Sequence, residues 1–283
     1  ARKSWPLFFR DLTPMHEWRL IKSGFQTGAM NMALDEALLS AVATGASPPV
    51  LRFYRWRPAT VTLGYAQSVA RDIDLEVCQQ AGLDVVRRST GGRAVLHDNE
   101  VTYAVIAPSA PGLFGNSVLD SYRVISEVLQ KALQQLGLPA KLVAGRSRSS
   151  QQHATKAVCF SARSQFELVI EDRKVAGSAQ KRHGQAFLQH GSIPLEMDLP
   201  LLGKVLKAER NAETAGSLDK VGWLNQWAGQ PLTVAEVEAC IVEEFSKAVG
   251  SPLQNSTLTA DELDQAERLR CEKYAHADWN MMR

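Results

Sequence analysis

The chain has 283 residues, 45% of them hydrophobic and 22% charged, with a formal net charge of +2. That length suffices for a large core in one large or two small domains, and the composition is that of an ordinary soluble globular protein. The near-zero charge argues neither for nor against nucleic acid, so any partner preference must come from local patches. No apolar run approaches the roughly 20 residues of a membrane span. The opening ARKSWPLFFR is basic then apolar, but Pro6 and Arg10 cut it too short for a signal-peptide core. Cys78, Cys159, Cys240 and Cys271 are far apart and form no CxxC pair. A disulfide framework or zinc knuckle is therefore not expected, and a reducing cytoplasm is.

In chain order, Trp18 to Ile21 is a short strand candidate. Met30, Ala33, Leu34, Ala37, Leu38 and Ala41 then fall at helical spacing, which predicts an amphipathic helix over 28–43 with Thr27 as N-cap and Gly45 as stop. Asn31, Asp35 and Glu36 lie off that stripe and read as solvent or packing polars rather than site groups. Strands are expected over 50–56 and 60–65, around Arg57-Pro58. A short helix over 74–81 follows, capped by Asp74 and closed by Gly82, then strands over 83–88, 94–97 and 101–107. Tyr122, Ile125, Leu129, Ala132, Leu133 and Leu136 mark a long helix. Ser117 and Asp120 pair at its start, and Gly137 and Pro139 follow its end.

Residues 144–156, AGRSRSSQQHATK, are polar and aperiodic, a loop. It carries Arg146, Arg148 and Lys156 just ahead of Cys159, and fits either a solvated loop or a basic lid that meets an acidic partner or a phosphate. Phe166, Leu168 and Ile170 then alternate with Gln165, Glu167 and Val169 as a strand. Glu171-Asp172-Arg173 is a polar turn and Lys174 opens the returning strand. Gly177 and Ser178 are expected to break that strand, where a ligand or another backbone comes close. Ala186 to Ile193 is a further strand, and 198–207, 218–228 and 234–249 read as helices, the last capped by Thr233 with Glu236. A composition shift at Gly250-Ser251-Pro252 divides residues 18–250 from a short C-terminal helical extension, 251–283, whose capping box runs from Thr259 to Glu262. Strands interleaved with helices, several in hairpin order, predict an α+β fold with a mixed sheet core and packed helices. Strict βαβ alternation is absent, which disfavours a doubly wound nucleotide fold.

Two stretches can carry chemistry. In RRSTGGRAVLH, residues 87–97, adjacent glycines join two strands. Such a turn is equally a plain β-turn or a backbone laid against a bound chain, its N–H groups open to an oxyanion or phosphate. It is neither a Walker loop nor a GxGxxG fingerprint. The six histidines show no HxxxH or HExxH spacing, so no metal is expected. His97 and His190 each end a strand, as a base or as a structural histidine. The second stretch is CFSARSQFELVIEDRKVAGSAQKRHGQAFLQHGS, residues 159–192. Cys78, Cys240 and Cys271 sit in helix patterns as small hydrophobes. Cys159 sits instead where a loop enters the sheet, near basic residues. A thiolate needs a neighbouring positive charge, and the fold-back can bring Lys174 to it. Cys159 is a nucleophile or a packed sulfur on this reading.

RRSTGGRAVLH, CFSARSQFEL, RKVAGSAQKR and LQHGS, in this order, resemble the motifs of the lipoate/biotin protein ligase and octanoyltransferase superfamily. NMALDEALL at 31–39, RFYRWRPATVTLGYAQ at 52–67 and KYAHADWN at 273–280 match as well, so the resemblance covers roughly residues 18–280. Within the superfamily the chain most resembles the LipM-type octanoyltransferases. ATP-dependent ligases lack a nucleophilic cysteine at the position of Cys159, and LipB-type enzymes carry their lysine before their cysteine. The amidotransferase branch, which moves octanoyl between lipoyl domains, ranks second because its glycine turn usually departs from TGGRAVLH.

The resemblance implies the biotin/lipoate protein ligase catalytic fold. It also implies transfer of an octanoyl group from octanoyl acyl carrier protein to a lysine of the glycine cleavage H protein. Cys159 matches the acyl-thioester nucleophile and Lys174 the lysine that lowers its pKa. Arg88, Gly91, Gly92, His97, Gly177, Ser178 and Ala179 match segments that line the acyl pocket. No ATP, metal, nucleic acid or membrane is expected. Both protein partners are acidic as families, which makes Arg146, Arg148, Lys156, Lys181 and Arg182 candidate docking charges. An amidotransferase, an ATP-dependent ligase on the same scaffold and a non-catalytic binder of acyl groups or lipoyl domains are the competing readings.

Overall fold

The computed structural model describes residues 17–109, 112–144, 166–207 and 218–282. Cys159 and the basic residues Arg146, Arg148 and Lys156 lie outside the described residues. The chain opens with β1 (Arg19–Gln26) and α1 (Gly28–Ala43), where the Thr27 side chain accepts from Met30 N as expected. β2 (Val50–Trp56), β3 (Thr60–Leu63), α2 (Val69–Asp72), α3 (Leu75–Gln80), β4 (Asp84–Arg87), β5 (Val95–His97) and β6 (Glu100–Pro108) follow. α4 (Val118–Gln135) begins at the Ser117–Asp120 capping box, before β7 (Lys141–Ala144) and β8 (Phe166–Ile170). The turn to β9 (Arg173–Lys174) holds Glu171 and Asp172 at φ +48° and +63°, a left-handed pair that suits a tight hairpin. β10 (Gly177–His183), β11 (Ala186–Pro194), α5 (Leu199–Val205), α6 (Val234–Val249), β12 (Gln254–Ser256), α7 (Ala260–Leu269) and α8 (Ala277–Asn280) complete the chain.

The main sheet has the order β10-β11-β6-β2-β1-β12. β1 pairs in parallel with β2 and β12, and the other ladders are antiparallel, so the sheet is mixed. Side chains alternate across it. Leu51, Phe53, Tyr103, Val105 and Phe187 face one core, which α4 and α6 cover with Leu129, Leu133, Ile241 and Phe245. Val50, Tyr54, Ala104, Ile106 and Leu188 face the other, covered by α1. α1 is apolar nearly all round, and ten of its sixteen residues are buried, because α7 and the segment after it pack on its outer side. A small sheet, β4-β3-β5, packs with α3 and α5 into a third core. Among the described residues no helix is long and apolar enough to cross a membrane.

Four readings are corrected. Residues 218–228 are two 3₁₀ turns, Leu218–Lys220 and Leu224–Gln226, rather than one helix. Between them Val221 bridges to Lys174, and Gly222 N donates to Lys174 O at 2.9 Å, which pulls the chain out straight. Gly177 and Ser178 do not interrupt a strand. They open β10, as the chain leaves the β7-β8-β9 sheet for the main one. Residue 144 ends β7 rather than opening a loop. Asn31 and Asp35 are fully buried. Beyond Gly250, β12 joins the main sheet, and Arg19 holds Glu262 of α7 in a buried ion pair at 2.5 Å.

Candidate active site

A cavity lies between the main sheet and the small one. Met32 of α1, Tyr54 and Trp56 of β2, Thr102 of β6 and His190, Gly191 and Ser192 of β11 form one side. Thr62, Arg88, Val95 and His97 form the other, with Gly177, Ser178 and Ala179 along β10. The open space along these walls is about 340 Å³.

Two buried chains of hydrogen bonds build its walls, and both end on Arg88. In the first, Asp35 Oδ2 accepts from His190 Nδ1 at 2.8 Å, and His190 Nε2 meets Thr90 Oγ1 at 2.8 Å. In the second, Glu100 Oε1 accepts from His97 Nδ1 at 2.7 Å, and His97 Nε2 meets Thr62 Oγ1 at 2.8 Å. Arg88 donates to Thr62 Oγ1 at 2.6 Å and Thr90 Oγ1 at 3.3 Å. Each threonine accepts from the guanidinium, so its own hydrogen is left for an imidazole Nε2, and both histidines carry their proton on Nδ1. Arg88 also donates to the carbonyls of Gly91 at 3.0 Å and Arg93 at 2.9 Å, pinning the glycine turn from inside. Gly92 sits at φ +99°, and a Cβ on Gly64 would lie 2.0 Å from its carbonyl oxygen, so both glycines are required.

Period-two alternation explains the convergence. Arg52 and His190 both pair with Ala104 across the ladders, from opposite sides. The small methyl there leaves room for Asp35 to reach both: Arg52 Nη1 at 2.7 Å, His190, and the Tyr54 hydroxyl at 3.0 Å. One row further, Tyr54 and Ser192 flank Thr102. Thr102 and Ser192 hydroxyls both donate to Glu100, and Trp56 stacks on His97 with ring centroids 4.2 Å apart. With those polar groups committed to one another, the cavity presents mainly carbon.

Across β10, the Ser178 hydroxyl meets Tyr103 Oη at 2.7 Å and the Tyr122 hydroxyl donates to Ser178 O at 2.5 Å. The crowding lies at the facing Gly191 and comes from side chains rather than from another backbone: a Cβ there would lie 2.6 Å from Tyr103 and 2.8 Å from Ser178 Oγ. Lys174, three residues ahead of Gly177, is buried, and its Nζ donates to the buried Glu167 carboxylate at 3.1 Å. Of the candidate docking charges within the described residues, Lys181 lies 3.7 Å from Glu36, and Arg182 donates to Asn116 O at 2.8 Å.

Burial holds the His190 pKa below its ordinary 6.5, against the raising effect of Asp35, with the charge of Arg88 also lowering it. The physical reason is charge balance. Asp35 is already neutralised by Arg52, so an imidazolium would be surplus positive charge in a buried site. Burial pushes Asp35 upward, but the His190 bond and the Arg52 charge outweigh it and hold the carboxyl below 3.8. The folded protein therefore resists protonating His190 where the unfolded chain accepts a proton. Its contribution to stability is complete above 6.5 and falls as pH drops below that value toward the folded pKa. Denaturant midpoints between about pH 5 and pH 8 should fall on the acid side, and His190→Gln should flatten that slope. Wild type gaining stability below pH 6.5 relative to the variant would contradict the assignment.

Residues 27–246 match the family of lipoyl protein ligase A/B catalytic domains. The chain belongs to that family. It is 41% identical over 280 residues to the octanoyltransferase LipM of Brevibacillus brevis, covering 95% of this chain and 100% of the relative. It is likewise 41% identical over 273 residues to that of Geobacillus kaustophilus, covering 94% and 98%. Among solved structures, a lipoate-protein ligase A bound with ATP superposes with a TM-score of 0.79 at 26% identity, covering 94% of this chain and 98% of that one. A putative lipoate protein ligase from T. acidophilum with bound lipoic acid gives 0.77 at 25%, covering 94% and 99%. The fold is therefore that of the lipoate ligases, as the motifs implied.

In this lipoyl protein ligase A/B family member, the cavity gathers Arg88, His97, Gly177, Ser178 and Ala179 from the residues anticipated in sequence. Gly91 and Gly92 stand behind Arg88 in the turn. Met32, Trp56, Thr62 and Ser192 were not anticipated, nor was Asp35 as the partner of Arg52, Tyr54 and His190. A signal existed for part of this. Arg52, Tyr54 and Trp56 share one face of a strand by spacing alone, and only Tyr54 among them looks like ordinary core.

Proposed function

We propose that this octanoyltransferase of lipoate assembly takes its acyl group from octanoyl acyl carrier protein and delivers it to a lysine of the glycine cleavage H protein, through a thioester on Cys159 and without ATP or a metal. The observation that carries the reading is the 41% identity with octanoyltransferases along nearly the full length of both chains. The carbon-walled cavity supports it, because an octanoyl chain is apolar along its length.

The thiolate of Cys159 attacks the donor thioester carbonyl, and the tetrahedral adduct collapses by breaking the bond to the carrier sulfur, which leaves as a thiolate and takes its proton from water. This exchanges one thioester for another at little free-energy cost. The neutral acceptor amine then attacks the acyl-cysteine, the Cys159 thiolate is released, the proton shed by the nitrogen passes to solvent, and the amide formed makes the second step downhill. The covalent intermediate lets donor and acceptor visit in turn, with ping-pong kinetics. Backbone N–H groups of the Gly91-Gly92 turn or the Gly177-Ser178 strand serve each oxyanion. Lys174 is the cation that favours the thiolate. When acylation consumes that thiolate, Glu167 remains beside Lys174 as its counter-charge.

The test is the intact mass of the protein after mixing with octanoyl acyl carrier protein in the absence of ATP. One added octanoyl group, mapped to the Cys159 peptide and removed by neutral hydroxylamine, is the expected result. An adduct formed only from octanoylated H protein would move the chain to the amidotransferase branch. No adduct, with acceptor modified only when ATP and free octanoate are supplied, would make it a ligase.

A further inference from the structure

The end of the chain grips the strand that leads into the cavity. Arg87 is fully buried on the last residue of β4. Its Nε donates to Trp279 O at 3.1 Å and its Nη2 to Asn280 O at 3.0 Å. Its backbone N–H donates to Asn280 Oδ1 at 2.9 Å, and Trp279 Nε1 returns a bond to Arg87 O at 2.9 Å. Nη1 reaches the carbonyls of Gly64, Tyr65 and Gln67 at 3.0, 3.1 and 2.7 Å. On the other side of Arg88, Ser89 faces the Tyr274 phenol. Asn280 Nδ2 closes the arrangement on Tyr274 O at 2.8 Å.

Successive strand residues point to opposite faces, so Arg87 points toward the C-terminal segment while Arg88 points into the site. The β3–β4 ladder ends at the Leu63–Arg87 pair, and past it Arg88 N keeps a bond to Leu63 O at 2.8 Å. The C-terminal segment thus holds the sequence neighbours on both sides of the guanidinium on which the two histidine chains and the glycine turn converge. Bonds from a buried cation to fixed carbonyls are charge-assisted and directional, which suits a locating role.

We propose that Trp279 and Asn280 are positioning residues of the acyl-binding site, a clasp that sets Arg88 and through it the Thr90-Gly91-Gly92 turn. This rests on the reading of the cavity as the acyl site. The clasp touches no substrate and acts only through β4. A reacting group misplaced by about 1 Å costs on the order of 100-fold in rate.

The experiment uses the full chain and steady-state octanoyl transfer, with octanoyl acyl carrier protein varied at saturating acceptor. Asn280→Ala is expected to lower kcat by about 10- to 100-fold while KM for the carrier stays within about 3-fold, since alignment rather than binding is lost. Trp279→Phe keeps an aromatic ring but removes the Nε1 donor to Arg87 together with part of the indole, and should lower kcat by about 10-fold at a cooperative melt. Wild-type kcat in both variants, with only a lowered melting temperature, would overturn the clasp. Arg88→Lys serves as the reference. Loss of kcat there with wild-type kcat in the clasp variants removes the clasp alone, whereas wild-type kcat in Arg88→Lys removes the acyl-site reading and the clasp together.

Discussion

Cys159→Ala is expected to form no acyl adduct and to lose octanoyl transfer by at least about 10³-fold, because the proposed thioester mechanism without its nucleophile keeps only positioning and oxyanion stabilisation. The other cysteines offer little rescue. Burial and the nearby Asp74 push the Cys78 thiol up to about 11, so almost none of it is thiolate near neutrality. Cys240 is raised by burial and by the carboxylates of Glu243, Glu236 and Glu244. Cys271 is exposed on the outer side of the C-terminal segment beside Glu267 and Arg270. Single alanine replacements at those three positions should leave the adduct intact. Transfer that survives in Cys159→Ala and depends on ATP would sink the thioester mechanism.

Asp35→Ala is expected to cost about 3–5 kcal/mol, the range for removing one partner of a buried ion pair and leaving the other charge uncompensated. Side-chain exposure of Arg52 and Asp35 is 0% and 2%, so solvent does not screen the loss. Arg52 would keep Asn31 O at 3.2 Å, Asn31 Oδ1 at 2.8 Å and Ser23 Oγ at 2.9 Å, but no longer the carboxylate. His190 and the Tyr54 hydroxyl would lose an acceptor in the same substitution. For a chain of this size the melting temperature should fall by roughly 10 °C. Asp35→Asn, which retains an acceptor, should cost clearly less. A loss below about 1 kcal/mol in the alanine variant would mean that the pair is not made as described.

Local features were legible because their physics is local. Caps work over three residues, and the Thr27, Ser117, Thr233 and Thr259 caps all form where the pattern places them. The same holds for the hairpin at Glu171-Asp172 and the glycine turn. Residues 218–228 show the limit. Leu218, Val221 and Leu224 have helical spacing, but Val221 gains more as a strand partner of Lys174, and one sequence cannot display that competitor. Asp35 shows another. Off the stripe of its own helix it reads as a solvent or packing polar rather than a site group, yet its partners Arg52 and His190 lie 17 and 155 residues away.

By itself, then, the sequence determined the mixed sheet with its packed helices, the ordered motifs of the lipoate ligase and octanoyltransferase family, and the placement of Arg88, His97 and the β10 residues as site candidates. Periodicity, capping and turn chemistry act within a few residues, and motifs are read in order. Only the tertiary structure decided that Asp35 and Glu100 each hold a histidine, that Glu167 faces Lys174, and that Trp279 and Asn280 close on Arg87. Those contacts join buried charges across distant segments. A buried charge is satisfied by whichever partner the packing brings within reach, and spacing along the chain carries no record of that choice.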